Sequence, residues 1–103
     1  MKRLVILAAL LPGLAVSGPI WAEDVTIQHF EFGPQAVTVK VGEKVTWTNK
    51  DVEPHTVVSN DHKFQSEALD TGDTFSVTFD KAGTYGYFCT LHPHMTGTVT
   101  VVP

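Results

Sequence analysis

Apolar and polar positions alternate along most of this chain beyond residue 22. Val25 and Ile27 open the pattern, with Phe30 and Phe32 close behind, and Gly33-Pro34 breaks it. Val37, Val39 and Val41 alternate with Thr38 and Lys40, and Gly42-Glu43 makes a turn. Val45 and Trp47 alternate with Thr46 and Thr48, and His55–Ser59 is a short β-branched run. Phe75, Val77 and Phe79 then alternate with Thr74, Ser76 and Thr78, and Asp80–Gly83 turns the chain. Tyr85, Tyr87 and Cys89 share a face, and Thr98–Val102 closes the sequence. A period of two marks strands with one buried face. The pattern predicts about seven short strands in an all-β Greek-key sandwich. Asn60–Asp73 is polar and irregular, anchored by Phe64 and Leu69, with room for one helical turn within Lys63–Leu69.

The first 22 residues follow a different pattern. Lys2 and Arg3 precede an apolar run, Leu4–Val16, that Pro12 and Gly13 interrupt. The run is too short to span a bilayer, which takes about 20 apolar residues. Small residues follow, ending in Ile20-Trp21-Ala22. This is the layout of a secretory signal peptide, with cleavage after Ala22 or, as second choice, after Ser17. The domain is then expected over residues 23–103, exported to the periplasm without stable membrane insertion.

Composition narrows the choices. The chain has 103 residues, room for one small domain. Without Lys2 and Arg3, five lysines face eleven acidic residues, a net charge of −6. Nucleic-acid binding needs a basic face and is not expected. A core this small buries roughly 60–65% of the unfolded chain's surface and usually has help from disulfides or a metal. Cys89 is the sole cysteine, so no intrachain disulfide forms. A metal is the natural explanation for a lone exported cysteine.

Three candidate ligands lie in Cys89-Thr90-Leu91-His92-Pro93-His94-Met95, and a fourth, His55, follows Pro54. One thiolate (Cys89), two imidazoles (His55, His92) and one thioether (Met95) form a soft nitrogen–sulfur set. That set suits a single blue, type 1 copper ion and an electron-transfer role. A closed ligand loop between two strands keeps the geometry similar in both oxidation states. The arrangement offers no open coordination position and no general acid or base, so an enzyme is not expected. Two other roles stay open: a copper-binding protein for storage, delivery or resistance, and a structural zinc domain, which Met95 disfavours.

The chain also resembles the cupredoxins, most closely the amicyanin/plastocyanin-like branch. Phe32–Asn49, Asn49-Lys-Asp-Val-Glu-Pro-His55, the run from Phe64 to Phe75, Ala82–Tyr85 and the Cys-x-x-His-x-x-Met loop carry the resemblance. It implies His55, Cys89 and His92 as equatorial copper ligands, Met95 as the long axial one and the edge of His92 as the electron port. It also implies that Asn49 ties the first ligand loop to the cysteine loop. The implied partners are redox proteins, in amicyanins a dehydrogenase donor and a c-type cytochrome acceptor, met by a monomer.

Two positions depart from the branch. Leu91 stands where proline is usual, and His94 where an aromatic or apolar residue is. Proline has no N–H, so Leu91 is expected to donate a hydrogen bond to the Cys89 sulfur that relatives lack, with the Asn49 amide as a second donor. Replacing Leu91 by proline is then expected to lower the reduction potential. His94 is expected on the solvent rim, and His29 and His62 on the surface.

Overall fold

A computed structural model describes residues 22–103. The expected signal segment lies outside the described residues except for Ala22, which opens the first strand. Eight strands follow in order: β1 (Ala22–Gln28), β2 (Glu31–Gly33), β3 (Ala36–Lys40), β4 (Lys44–Asn49), β5 (Val58–Ser59), β6 (Thr74–Thr78), β7 (Gly83–Phe88) and β8 (Thr96–Val102). They form two four-stranded sheets, ordered β2-β1-β4-β6 and β3-β8-β7-β5. Both sheets are mixed, because β1 runs parallel to β4 and β3 parallel to β8. No helix among the described residues is long and apolar enough to cross a membrane.

The period-two pattern becomes the inner faces of the sandwich. Val45 and Trp47 of β4 and Val25 and Ile27 of β1 are buried from one side. Val37 and Val39 of β3 and Val99 and Val101 of β8 are buried from the other. Tyr87 of β7 lies over Gly97 of β8, its register partner. A Cβ at position 97 would stand 2.3 Å from the tyrosine ring, so only glycine fits beneath it.

The all-β sandwich is as expected, and two details differ from the sequence reading. The first apolar run is two strands, which raises the count to eight. A turn at His29-Phe30 separates β1 from β2, with φ of 58° and 59°. Such a turn normally takes Asn-Gly or a similar pair, and a left-handed non-glycine residue costs about 1–2 kcal/mol. The Asp51 carboxylate offsets this by accepting from both turn amides, His29 N at 2.8 Å and Phe30 N at 3.0 Å. Second, Lys63–Leu69 holds no helical turn. It runs extended beside the chain that precedes it, with bridges Val58–Gln65 and His55–Leu69. Its amides donate outward, Ser66 N to Val57 O and Leu69 N to His55 O, so no local helical bonds are needed.

Trp47 Nε1 and Tyr87 Oη are buried without a hydrogen-bond partner among the described residues. Their rings meet edge to face, with centroids 5.3 Å apart. Burial pushes the Tyr87 phenol up to about 12, with the Trp47 indole pulling weakly the other way. The unfolded chain would ionise near its ordinary 10.0 while the folded chain stays neutral. Stability is therefore untouched below that pH and falls as pH rises toward about 12. In a Tyr85→Phe protein, which leaves Tyr87 as the sole tyrosine, the near-ultraviolet tyrosinate band should stay absent in the folded state until pH is about 12. A folded-state midpoint at 10.0 would contradict the packing described here.

Candidate metal centre

The first ligand loop is wound around one buried side chain. Asn49 ends β4 fully buried, and its Nδ2 donates to Glu53 O at 2.9 Å and Leu69 O at 2.8 Å. Its Oδ1 accepts from Asp51 N at 2.9 Å. Asn49 thus ties this loop to itself and to the Leu69 segment, rather than to the cysteine loop as expected. His55 follows, fully buried, with its backbone paired to Leu69. Its Nε2 lies 2.9 Å from Asp51 Oδ2.

That contact sets the tautomer. Burial acts to raise the Asp51 carboxyl, but hydrogen bonds from the Phe30 and His29 amides and from His55 outweigh it and hold the group below its ordinary value. An ionised carboxylate only accepts. His55 therefore carries its proton on Nε2 and turns the Nδ1 lone pair toward the cysteine. A hydrogen bond on one ring nitrogen commonly decides which nitrogen is free to bind a metal.

The second loop is a pair of tight turns between β7 and β8. Cys89 N donates to Met95 O at 3.1 Å and closes its neck. His92 N donates to Cys89 O at 3.3 Å, and Met95 N to His92 O at 2.9 Å. A donor side chain therefore recurs at every third residue. Cys89 is fully buried, Met95 is buried and His92 is half-buried. Cys89 Sγ lies 3.8 Å from His55 Nδ1 and 3.8 Å from His92 Nδ1. The three donor atoms all fall within 4.8 Å of one another.

Thr56 joins the two loops. Its N–H donates to Cys89 Sγ at 3.3 Å, and its Oγ1 lies 3.8 Å from the same sulfur. Thr56 Oγ1 also accepts from Thr90 N at 2.8 Å and bonds Thr90 Oγ1 at 2.8 Å. These contacts replace the ones expected from the sequence. Leu91 N makes no hydrogen bond to the sulfur, whose backbone donor is Thr56 N, and the Leu91 side chain is 50% exposed. Asn49 N donates to Asp73 O instead. The expected effect of a Leu91→Pro replacement on the potential therefore loses its basis.

Two residues that the sequence did not single out complete the surroundings. Phe30 meets both imidazoles edge-on, with ring centroids 5.2 Å from His55 and 4.9 Å from His92. Asp51 fixes the turn that carries Phe30. The one signal available for Asp51 was its position four residues before His55, and His-Phe gives no turn signal at all. His94 is exposed and lies outside the donor cluster, as are His29 and His62. His29 and His94 line a cavity of about 430 Å³ that reaches Phe30 and Met95.

The donors fit a trigonal nitrogen–sulfur site. With bonds of about 2.0 Å to nitrogen and about 2.3 Å to sulfur, a sulfur–nitrogen separation of this size corresponds to an angle of roughly 120° at a shared ion. Two imidazoles and a thiolate, with Met95 offering a thioether from the same loop, favour copper over zinc. A two-sheet sandwich that carries this set at one end defines a blue-copper electron-transfer protein of the cupredoxin class.

Comparison with known proteins agrees. The family model for copper binding proteins of the plastocyanin/azurin family matches residues 21–102. Amicyanin from Paracoccus versutus is 37% identical over 95 residues, spanning 87% of this chain and 72% of the relative. Plastocyanin from Scenedesmus fuscus is 43% identical over 83 residues, spanning 68% of this chain and 85% of the relative. A solved structure of the reduced form of an amicyanin mutant superposes with a TM-score of 0.73 at 34% identity, covering 78% of this chain and 81% of that one. The chain belongs to the plastocyanin/azurin family of copper-binding proteins, and its cofactor is one type 1 copper ion.

Thr56→Val keeps the amide bond to sulfur and removes the hydroxyl bridge. Thr90 N then loses its acceptor, so the metal-free protein should lose about 1–3 kcal/mol of stability. Denaturant unfolding measures this, and an unchanged midpoint would contradict the bridging role of Thr56.

Proposed function

We propose that this chain is an exported, periplasmic one-electron carrier in which His55, Cys89, His92 and Met95 would hold the copper ion. One observation carries the reading: the donor set is buried except at His92, and two exposed apolar residues, Phe30 and Leu91, adjoin that opening. Leu91 and Phe30 are 50% and 39% exposed. Phe30 touches the His92 ring, and Leu91 precedes His92 in the loop. Copper, when bound, supplies reversible one-electron chemistry between Cu(II) and Cu(I). The residues do the rest. Asp51 holds the His55 tautomer, Thr56 holds the cysteine sulfur, burial excludes water, and the half-exposed His92 edge gives the electron a short way out. The role is carriage rather than catalysis.

The N-terminal charge pair, apolar run and Ala22 support export. A monomer would pass electrons between redox proteins, with a dehydrogenase as donor and a c-type cytochrome as acceptor. Repeated reduction and reoxidation with copper retained, followed by voltammetry, tests the carrier role. Copper release on each reduction would favour storage or delivery instead.

The charge of residues 23–103 bears on the encounter. An excess of six acidic groups steers the protein toward a basic partner face. Stopped-flow electron-transfer rates with a basic c-type cytochrome should fall as ionic strength rises. Equal rates at low and high salt would reject steering.

A further inference from the structure

The β1–β2 turn sits against the metal centre in a way that the ligand set does not require. Its two residues, His29 and Phe30, both hold left-handed backbone conformations without being glycine. Strained backbone of this kind persists only where its surroundings over-determine it, and it gathers at functional sites. Here one carboxylate does the fixing. Asp51 Oδ1 takes the His29 amide, and Oδ2 takes both the Phe30 amide and His55 Nε2. The turn and the buried imidazole therefore share a single anchoring oxygen.

Phe30 is placed by that anchor. Its ring stands at 90° to His55 and at 88° to His92, against both imidazoles at once. On its other side it lines the cavity of about 430 Å³ that also touches Met95. That space has room for several waters or a small anion. His55 and His92 do not line that space, whereas the phenyl ring touches both it and the two imidazoles.

We propose that Phe30 closes the metal centre to small exogenous ligands and to metal exchange, and that Asp51 keeps it closed by clamping the strained turn. Phe30 is thus a positioning residue, acting through the imidazoles it touches. The inference rests on the ligand assignment under Proposed function. Without the ring, the cavity opens onto His55 and His92, and both imidazoles lose the surface that limits their rotation. Without the Asp51 carboxylate, the turn loses both amide acceptors and Phe30 leaves its place.

The test uses the copper-loaded protein and two probes, azide as entering ligand and an aminocarboxylate chelator as metal acceptor. In Phe30→Ala, copper extraction should accelerate by roughly 10- to 100-fold, the range seen when groups supporting metal ligands are removed. Azide should also perturb the Cu(II) spectrum at concentrations that leave the parent protein unchanged. Asp51→Ala should act in the same direction, and adding Phe30→Ala to it should accelerate extraction less than Phe30→Ala does in the parent, because the Asp51 clamp that places the ring is already gone. Val41→Ala, which also trims an exposed apolar residue, should behave like the parent. Phe30 is 39% exposed, so its alanine variant leaves the core intact, and an unchanged unfolding midpoint checks this. Nitrogen NMR of the metal-free protein gives a readout independent of copper: Phe30→Ala should broaden the His55 and His92 ring signals. Parent-like extraction, azide response and ring signals in Phe30→Ala would overturn the proposal. A parent protein that takes up copper without a thiolate band would instead overturn the ligand assignment beneath it.

Discussion

Thr56 is the point at which the two halves of the metal centre become one object. The His55 loop leaves one sheet and joins the other at β5, whose pairing with β7 ends at Val58–Phe88 and leaves the separation of the donor atoms to contacts beyond the sheet. The Thr56 amide at 3.3 Å from Cys89 Sγ, and its hydroxyl at 2.8 Å from both Thr90 N and Thr90 Oγ1, fix it. The sulfur is thereby held at one distance, 3.8 Å, from both imidazole nitrogens. A hydrogen bond to a charged acceptor is worth about 1.5–3 kcal/mol. That is a large share of the stability of a domain this small, and it acts where the two loops meet.

The rest of the fold serves that junction. β4 delivers Asn49 to the start of the first loop, and Asn49 curls the loop by bonding Glu53, Leu69 and Asp51. β7 and β8 hold the neck of the second loop through the Cys89 N to Met95 O bond. Three of the four candidate ligands meet a neighbour outside the set: Asp51 at His55, Thr56 at Cys89, and Phe30 at both imidazoles.

Much of this was legible in the sequence. Strict alternation in Val37–Val41, Val45–Trp47 and Phe75–Phe79 identified strands, because a pleated chain with one buried face admits no other period. The four candidate ligands stood out because their donor chemistry is rare in combination. What stayed hidden was contact over long sequence separation. Thr56 lies 33 residues from Cys89 and Asp51 lies 21 from Phe30, and no local pattern records such pairs. The His29-Phe30 turn was hidden for a related reason. Its backbone strain is offset by a distant carboxylate, so it lacks the Asn or Gly that marks such turns. Leu91 misled because a restored N–H shows that a donor exists, whereas the two tight turns of the loop decide where it points.

The central claim is that these residues form a preassembled thiolate–imidazole site for a single copper ion. The most direct measurement is a titration of the metal-free protein with Cu(II), followed by optical absorption and backbone amide NMR. The account predicts an intense red thiolate band that rises linearly and stops at one equivalent, with amide shifts confined to the two ligand loops and the β1–β2 turn. A weak, pale band, or amide shifts spread across both sheets, would contradict it.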